Sequence, residues 1–235
     1  MIRIDNITKK YIKRSVLNNI SLICNSGESI ALIGPNGSGK TTLMKSLLGL
    51  VYPDKGALYF QELNIHEHTL YRSHIGYMPQ NIRFPGNTSV KQLFNMIHDV
   101  RGYEGEPDYE LYEAFALEKI SSKLLKNLSG GTKQKVNAAV AFLFNPDCYI
   151  LDEPTAGLDP VAAEILKLKI LKEKEAGKLI IISSHIMADL EELTTRVVYL
   201  LDGNVFFDKH VDELLADSNE RKLGKAISRF IQAKT

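Results

Sequence analysis

The sequence holds only two cysteines, Cys24 and Cys148, in 235 residues. Both sit in apolar, strand-like runs. That excludes a disulfide-stapled secreted scaffold and reads as core thiols in a reducing compartment. Charge of one sign is missing as well: 29 Lys and Arg against 28 Asp and Glu leave a net charge of +1. No global field then recruits nucleic acid or a membrane surface. Long apolar runs are also absent. Runs such as residues 138–144 and 179–182 fall far short of the roughly 18–20 residues that span a bilayer. The start, Met1-Ile2-Arg3-Ile4-Asp5, lacks the apolar stretch of a signal peptide. The expectation is a cytoplasmic protein that meets a membrane only through a partner. What remains is an ordinary globular composition, 44% hydrophobic and 24% charged, in a chain long enough for one domain with a subdomain.

The most informative stretch is Gly34-Pro35-Asn36-Gly37-Ser38-Gly39-Lys40-Thr41-Thr42. It follows an apolar run, residues 29–33, that reads as a buried strand, and it opens a helical pattern over 43–50. Strand, glycine loop and helix is the context in which G-x-x-x-x-G-K-T becomes a phosphate-binding loop. Gly34, Gly37 and Gly39 permit positive φ and close backbone approach. Their N–H groups at a helix start form an anion nest. Lys40 brings a charge to the β- and γ-phosphates, and Thr41 a hydroxyl to Mg²⁺. The sequon at Asn36 falls inside this loop, so glycosylation is discounted.

The remaining chain reads in order. Residues 1–30 look β-rich, with a short strand around Ile2, Ile4 and Ile7 and another over 16–24. Tyr11 lies between them, either a half-buried surface ring or a platform for a base. Pro53-Asp54-Lys55-Gly56 is a turn, followed by a strand at 57–60. His66 and His68 have no third ligand nearby and read as solvated loop histidines. Residues 75–79 form a strand that Pro79 stops. From there to residue 145 the apolar spacing over 90–101, 109–116 and 120–125 is helical, so 81–145 reads as a helical subdomain inserted in an α/β core.

Within that insert, Ser129 is a candidate N-cap. Gly130 and Gly131 give open backbone at the helix start, which is either a plain cap or a second anion site. Residues 148–151 suit a buried parallel strand, and Asp152 and Glu153 stand at its carboxyl end, where α/β sheets bind ligands. One carboxylate can hold Mg²⁺ while the other polarises a water. Pro160 suits the first position of a helix reaching about residue 176. His185 follows a strand over 178–184 and is either structural or placed to touch a γ-phosphate. Asp202-Gly203 marks a hairpin. The tail, 221–235, carries five Lys and Arg and no acid. Its apolar residues Leu223, Ile227, Phe230 and Ile231 share one helical face, for lipid, a partner or its own domain.

The order of these pieces resembles the nucleotide-binding domain of ABC transporters over nearly the whole chain. The residues that carry the resemblance are Tyr11, the Walker A loop at 34–42, Gln80, Leu128-Ser129-Gly130-Gly131, the Walker B run ending at Asp152-Glu153, Leu158-Asp159 and His185. It implies a P-loop NTPase core with a mainly parallel sheet, an N-terminal antiparallel β subdomain and an inserted helical subdomain. The core is 1–80 and 146–217, the insert 81–145 and the basic tail 218–235. By the same resemblance Tyr11 stacks on adenine, and Gln80 links the metal and water site to the insert. Ser129 and Gly131 contact the γ-phosphate of a second copy, and Asp159 crosses the dimer interface. Glu153 is the catalytic carboxylate and His185 the switch histidine. Asp152, Thr41 and Gln80 serve Mg²⁺.

The implied activity is ATP hydrolysis in a head-to-tail dimer coupled to a separate membrane permease. The alternative is a soluble ABC-type ATPase in assembly or nucleic-acid work. Thr132 and Val140 depart from the usual signature helix, which more often has Gln and Arg there. Residues 151–166 and Gly76-Tyr77-Met78-Pro79-Gln80, with Arg83-Phe84-Pro85, are further similar to copper-processing ABC ATPases that support nitrous oxide reductase maturation.

Overall fold

The computed structural model describes residues 1–12 and 14–234. Two sheets share the first part of the chain. Strands β1 (Ile2–Tyr11), β2 (Arg14–Cys24), β4 (Lys55–Phe60) and β5 (Leu63–Asn64) make an antiparallel sheet in the order β2-β1-β4-β5. The second sheet uses β3 (Ser29–Ile33), β6 (Ile75–Met78), β7 (Cys148–Asp152), β8 (Leu179–Ser183), β9 (Arg196–Leu201) and β10 (Asn204–His210). Its order is β10-β9-β3-β8-β7-β6, parallel throughout except for the edge strand β10. The turn between β9 and β10 places Asp202 at φ 47° and Gly203 at φ 77°. Both central residues are left-handed, as a type I′ hairpin turn requires.

Strands β3, β7 and β8 are buried at every position because both faces are covered. Ile30, Leu32, Ile150, Ile181 and Val198 face one core, shared with β1, β2, β4 and helix α1 (Lys40–Leu47). Ala31, Tyr149, Leu151, Ile180 and Ile182 face the other, where the remaining helices pack. These are α2 (Val90–Arg101), α3 (Glu110–Ala114), α4 (Gly130–Phe142), α5 (Pro160–Glu175), α6 (Met187–Leu193), α7 (Val211–Ser218) and α8 (Leu223–Lys234). None of the described helices is long and apolar enough to cross a membrane.

Three expectations change in detail. Helix α1 stops at Leu47, not at residue 50, because Gly49 turns left-handed at φ 65° and Leu50 N–H returns to Lys45 O at 2.9 Å. Strands β1, β2 and β4 each extend beyond their expected bounds. The segment 120–125 is not a helix. Only short 3₁₀ turns flank it, at Leu117–Ile120 and Leu125–Asn127. Its carbonyls serve a neighbour instead: Val90 N–H donates to Lys123 O at 3.1 Å and Lys91 N–H to Ser121 O at 2.9 Å. These are the orphan donors at the start of α2, which Ser89 and Gln92 close further as a capping box. The tail helix α8 packs on its own chain. Leu223, Ala226 and Ile227 are buried, and the Phe230 ring meets Phe207 edge-on at 5.0 Å. Cys24 and Cys148 are buried free thiols whose pKa values burial raises, that of Cys24 to about 12.

Candidate functional site

The glycine loop takes the backbone its spacing demands. Gly34, Gly37 and Gly39 have φ of 144°, 81° and 109°. A Cβ on Gly34 would fall 2.1 Å from Leu200 O, and one on Gly39 would fall 2.7 Å from Val16 O. Close approach and left-handed φ both require glycine here. Gly39 leads into α1, and no side chain caps the helix's first N–H groups. Those donors and the helix dipole make an anion seat. Lys40 Nζ donates to Gly34 O at 2.7 Å and Pro35 O at 3.1 Å. Burial pulls the Lys40 pKa down, and the Glu153 and Asp152 carboxylates oppose that pull.

One cleft of about 170 Å³ gathers Asn36, Gly37, Gly39, Lys40, Thr41 and Thr42 with Gln80, Asp152, Glu153 and His185, and Val16 closes one wall. These residues come from the ends of β3, β6, β7 and β8, the carboxyl edge of the parallel sheet. Gly34, Pro35 and Ser38 are not among the residues lining it. Ser38 is 2% exposed and its Oγ has no hydrogen-bond partner.

Asp152 and Glu153 are 6% and 7% exposed. The register of β7 on β8 sets Asp152 opposite Ser183. Ser183 Oγ donates to Asp152 Oδ1 at 2.6 Å, and Glu153 N–H donates to Ser183 Oγ at 3.2 Å and Ser183 O at 3.1 Å. Glu153 sits at φ 54°, a left-handed backbone that costs a non-glycine residue roughly 1–3 kcal/mol. Its carboxylate is held from the β8 side. His185 Nε2 lies 3.3 Å from Glu153 Oε1, and His185 N–H donates to Glu153 Oε2 at 3.3 Å. Sequence reading named Asp152, Glu153 and His185 but missed Ser183. The only hint was its place at the same strand end.

Other expected residues lie apart from the cleft. Tyr11 ends β1 about half exposed, with Lys9 Nζ 5.5 Å from its ring centroid. Ser129 does cap α4, accepting Thr132 N–H at 3.2 Å, and its hydroxyl is 2.8 Å from Thr132 Oγ1. Thr132 thus joins the cap at a position where a longer side chain is more usual. Gly130 and Gly131 form the first turn of α4. A Cβ on Gly131 would stand 2.8 Å from Gly157 O. Asp159 caps α5 through Ala162 N–H at 2.9 Å and bonds Lys135 Nζ at 2.7 Å. Lys135 and then the Ala162 amide hold its carboxyl below the usual range.

Among the described residues no group of three or more His, Cys, Asp or Glu could hold a metal ion. His66 packs its ring 4.8 Å from Tyr52. The cleft nevertheless fits a divalent cation carried by phosphates. Its donors, the Thr41 hydroxyl, the Asp152 carboxylate and the Gln80 amide oxygen, are the hard oxygens such a cation takes. The anion seat, paired strand-end carboxylates and a serine-capped glycine helix on an inserted helical segment together define an ABC-type ATPase cassette.

Comparison with known proteins agrees. The ABC transporter family model matches residues 17–156. The chain is 33% identical over 212 residues to the lantibiotic transport ATP-binding protein SrtF of Streptococcus pyogenes, covering 90% of this chain and 92% of that one. A solved ATP-binding subunit of an ABC transporter superposes with a TM-score of 0.90 at 27% identity, over the full length of both chains. A dimeric ATP-binding cassette in a post-hydrolysis state, bound to ADP and Pi, superposes at 0.79 with 25% identity, over 89% of this chain and 98% of that one. The chain belongs to the ABC transporter family, as an ATP-binding subunit that hydrolyses ATP.

Proposed function

We propose that two copies of this chain bind MgATP head to tail and use its hydrolysis to move a separate membrane permease. One observation carries this reading. The phosphate loop and the carboxylates share one cleft, but Ser129, Gly130 and Gly131 lie outside it, at a helix start with no acid in its first turn. A second copy lets that helix meet the same triphosphate. The dimeric relative with ADP and Pi supports this arrangement.

In this reading Lys40 and the loop amides grip the β- and γ-phosphates, and Tyr11 stacks on the adenine. Thr41, Asp152 and Gln80 would hold Mg²⁺, whose charge neutralises phosphate oxygens. Ser183 keeps Asp152 aimed by its 2.6 Å bond. Glu153 orients the attacking water and takes its proton. His185, 3.3 Å from that carboxylate, steadies it and reaches toward the γ-phosphate. Ser129 and Gly131 of the other copy seal the site, and Asp159 crosses the interface. Phosphoryl transfer needs mainly positioning and charge stabilisation, which this set supplies.

A positioned general base contributes about 10²–10⁴-fold. Glu153→Gln therefore retains ATP, forms a dimer by light scattering, and hydrolyses slower by about that factor. Hydrolysis at the wild-type rate, or a monomer with ATP bound, refutes the reading. Recovery with a permease from detergent-solubilised membranes separates it from a soluble ABC-type ATPase that works without one. The near-neutral charge favours no nucleic-acid partner, and the site on the membrane is the cytoplasmic face, through the permease. For cargo we carry the lantibiotic reading, since the named relative matches nine-tenths of the chain. The copper-processing resemblance has shorter strings behind it. A neighbouring gene for a periplasmic copper-binding protein would replace the first reading with the second.

A further inference from the structure

Helix α4 carries two buried amides that the reaction described so far does not use. Gln134 is 7% exposed and Asn137 is 1% exposed. They sit three residues apart, on one face of the helix. Asn137 Nδ2 donates to Pro79 O at 2.9 Å and to Gln134 Oε1 at 3.4 Å. Gln134 Nε2 donates to Glu153 O at 3.4 Å and Pro154 O at 3.3 Å. Pro79 immediately precedes Gln80. A continuous chain of side-chain hydrogen bonds thus runs from the backbone before Gln80, through α4, to the backbone of Glu153.

The side chain at position 137 has an apolar setting. Its helical neighbours Val136, Ala138, Ala139 and Ala141 are buried in the common core, and Asn137 Oδ1 finds no hydrogen-bond partner. An alanine there would remove the orphaned Oδ1 but strip Pro79 O and Gln134 Oε1 of the donor they share. A buried amide with an orphaned oxygen calls for a reason, and the chain's two ends supply one. Glu153 holds a left-handed backbone, which persists only where surrounding bonds fix it. Gln80 follows a proline that ends β6 and has no ladder of its own.

We propose that Asn137 is a positioning residue for ATP hydrolysis. Through its bond to Pro79 and its relay through Gln134, it holds Gln80 and Glu153 in one register with the signature helix. The two groups on either side of the attacking water therefore move with α4 and not independently. This rests on the roles of Glu153 and Gln80 given above. Neither amide lines the cleft of the phosphate loop and carboxylates, so ground-state ATP binding does not depend on them.

The test uses the full chain with Asn137→Ala, the isosteric but donor-poor Asn137→Asp, Gln134→Leu, and the Asn137→Ala/Gln134→Leu pair. Steady-state hydrolysis gives kcat and KM, and titration with a fluorescent ATP analogue gives affinity. Expected are a roughly tenfold fall in kcat for each single variant and affinity within about twofold of wild type. The double variant falls no further than the worse single one, because a relay broken once is already broken. An unchanged kcat in the folded variants, a parallel loss of affinity and rate, or multiplying effects in the double variant each overturn the proposal. Glu153→Gln runs alongside. Normal turnover by that variant removes the general-base reading, whereas a slow Glu153→Gln beside a fast Asn137→Ala removes only the relay.

Discussion

Replacing Lys169 with methionine is expected to lower the melting temperature more than any exposed charge change on α5. Lys169 is 2% exposed, yet its ammonium reaches three carboxylates: Asp108 at 2.5 Å, Glu110 at 2.9 Å and Glu173 at 2.8 Å. Burial alone would push its pKa down, but those carboxylates outweigh burial and hold it above the usual lysine value. Methionine keeps most of the volume and removes the charge that compensates Glu173, which is itself 7% exposed at the side chain. Breaking a buried pair from one side costs about 3–5 kcal/mol. A chain of this size loses about 2–4 °C per kcal/mol, so the melting temperature falls by about 6–20 °C.

Lys172→Met is the control. Its side chain is 64% exposed and pairs with Glu110 at 2.7 Å, so about 0.5 kcal/mol or less is at stake. Acid supplies a second reading. Lys172 and then Lys169 hold the Glu110 carboxyl below its usual range. A depressed folded pKa gives stability that is full above the unfolded value and is lost as pH falls through the folded one. The gap between wild type and Lys169→Met therefore narrows below about pH 4. Scanning calorimetry checks both. A Lys169→Met transition no lower than that of Lys172→Met refutes the reasoning.

Two further outcomes follow from the cleft. Gly34→Ala puts a methyl 2.1 Å from Leu200 O on a backbone at φ 144°. It is expected to abolish measurable ATP binding by equilibrium dialysis, and binding at wild-type affinity would show that the loop relaxes freely. Ser183→Ala removes the 2.6 Å donor to Asp152 and one acceptor for Glu153 N–H. It is expected to raise the Mg²⁺ concentration for half-maximal hydrolysis several-fold while the melting temperature moves little, and an unchanged Mg²⁺ dependence would count against Asp152 as a metal group.

The cleft was legible where its chemistry is local. Gly34, Gly39, Lys40 and Thr41 are fixed by one short spacing between a strand and a helix, and Asp152 and Glu153 by their place at the end of an apolar run. What stayed hidden depends on register between distant segments. Ser183 matters because β7 and β8 align it with Asp152, and no pattern within residues 178–184 says so. Gln134 and Asn137 read as ordinary polar positions until α4 is laid against Pro79 and Pro154. The segment 120–125 misled for a related reason. Its apolar spacing is helical, but its carbonyls are needed by α2, and satisfying another helix's first donors outweighs a turn of its own.

The helical segment between β6 and β7 cannot be a freely swinging lid, because it has no core to itself. Leu93 and Phe94 of α2, Leu111 of α3 and Phe142 of α4 belong to the same buried cluster as Leu151, Leu166 and Ile180. Phe142 stacks on Tyr149 of β7 at 4.4 Å. A close-packed interior does not deform smoothly, so any movement of α4 means sliding between discrete packings. Its contacts with the core differ along its length. The Phe142 end is anchored in apolar contact. The Ser129 end adds polar ties to its buried Leu128 and Val136: the Lys135–Asp159 ion pair and the amides of Gln134 and Asn137. A slide of α4 at that end therefore carries the Pro79 and Pro154 backbones with it through those amides. A second copy pressing on the glycine turn would then act on Gln80 and Glu153 through this helix.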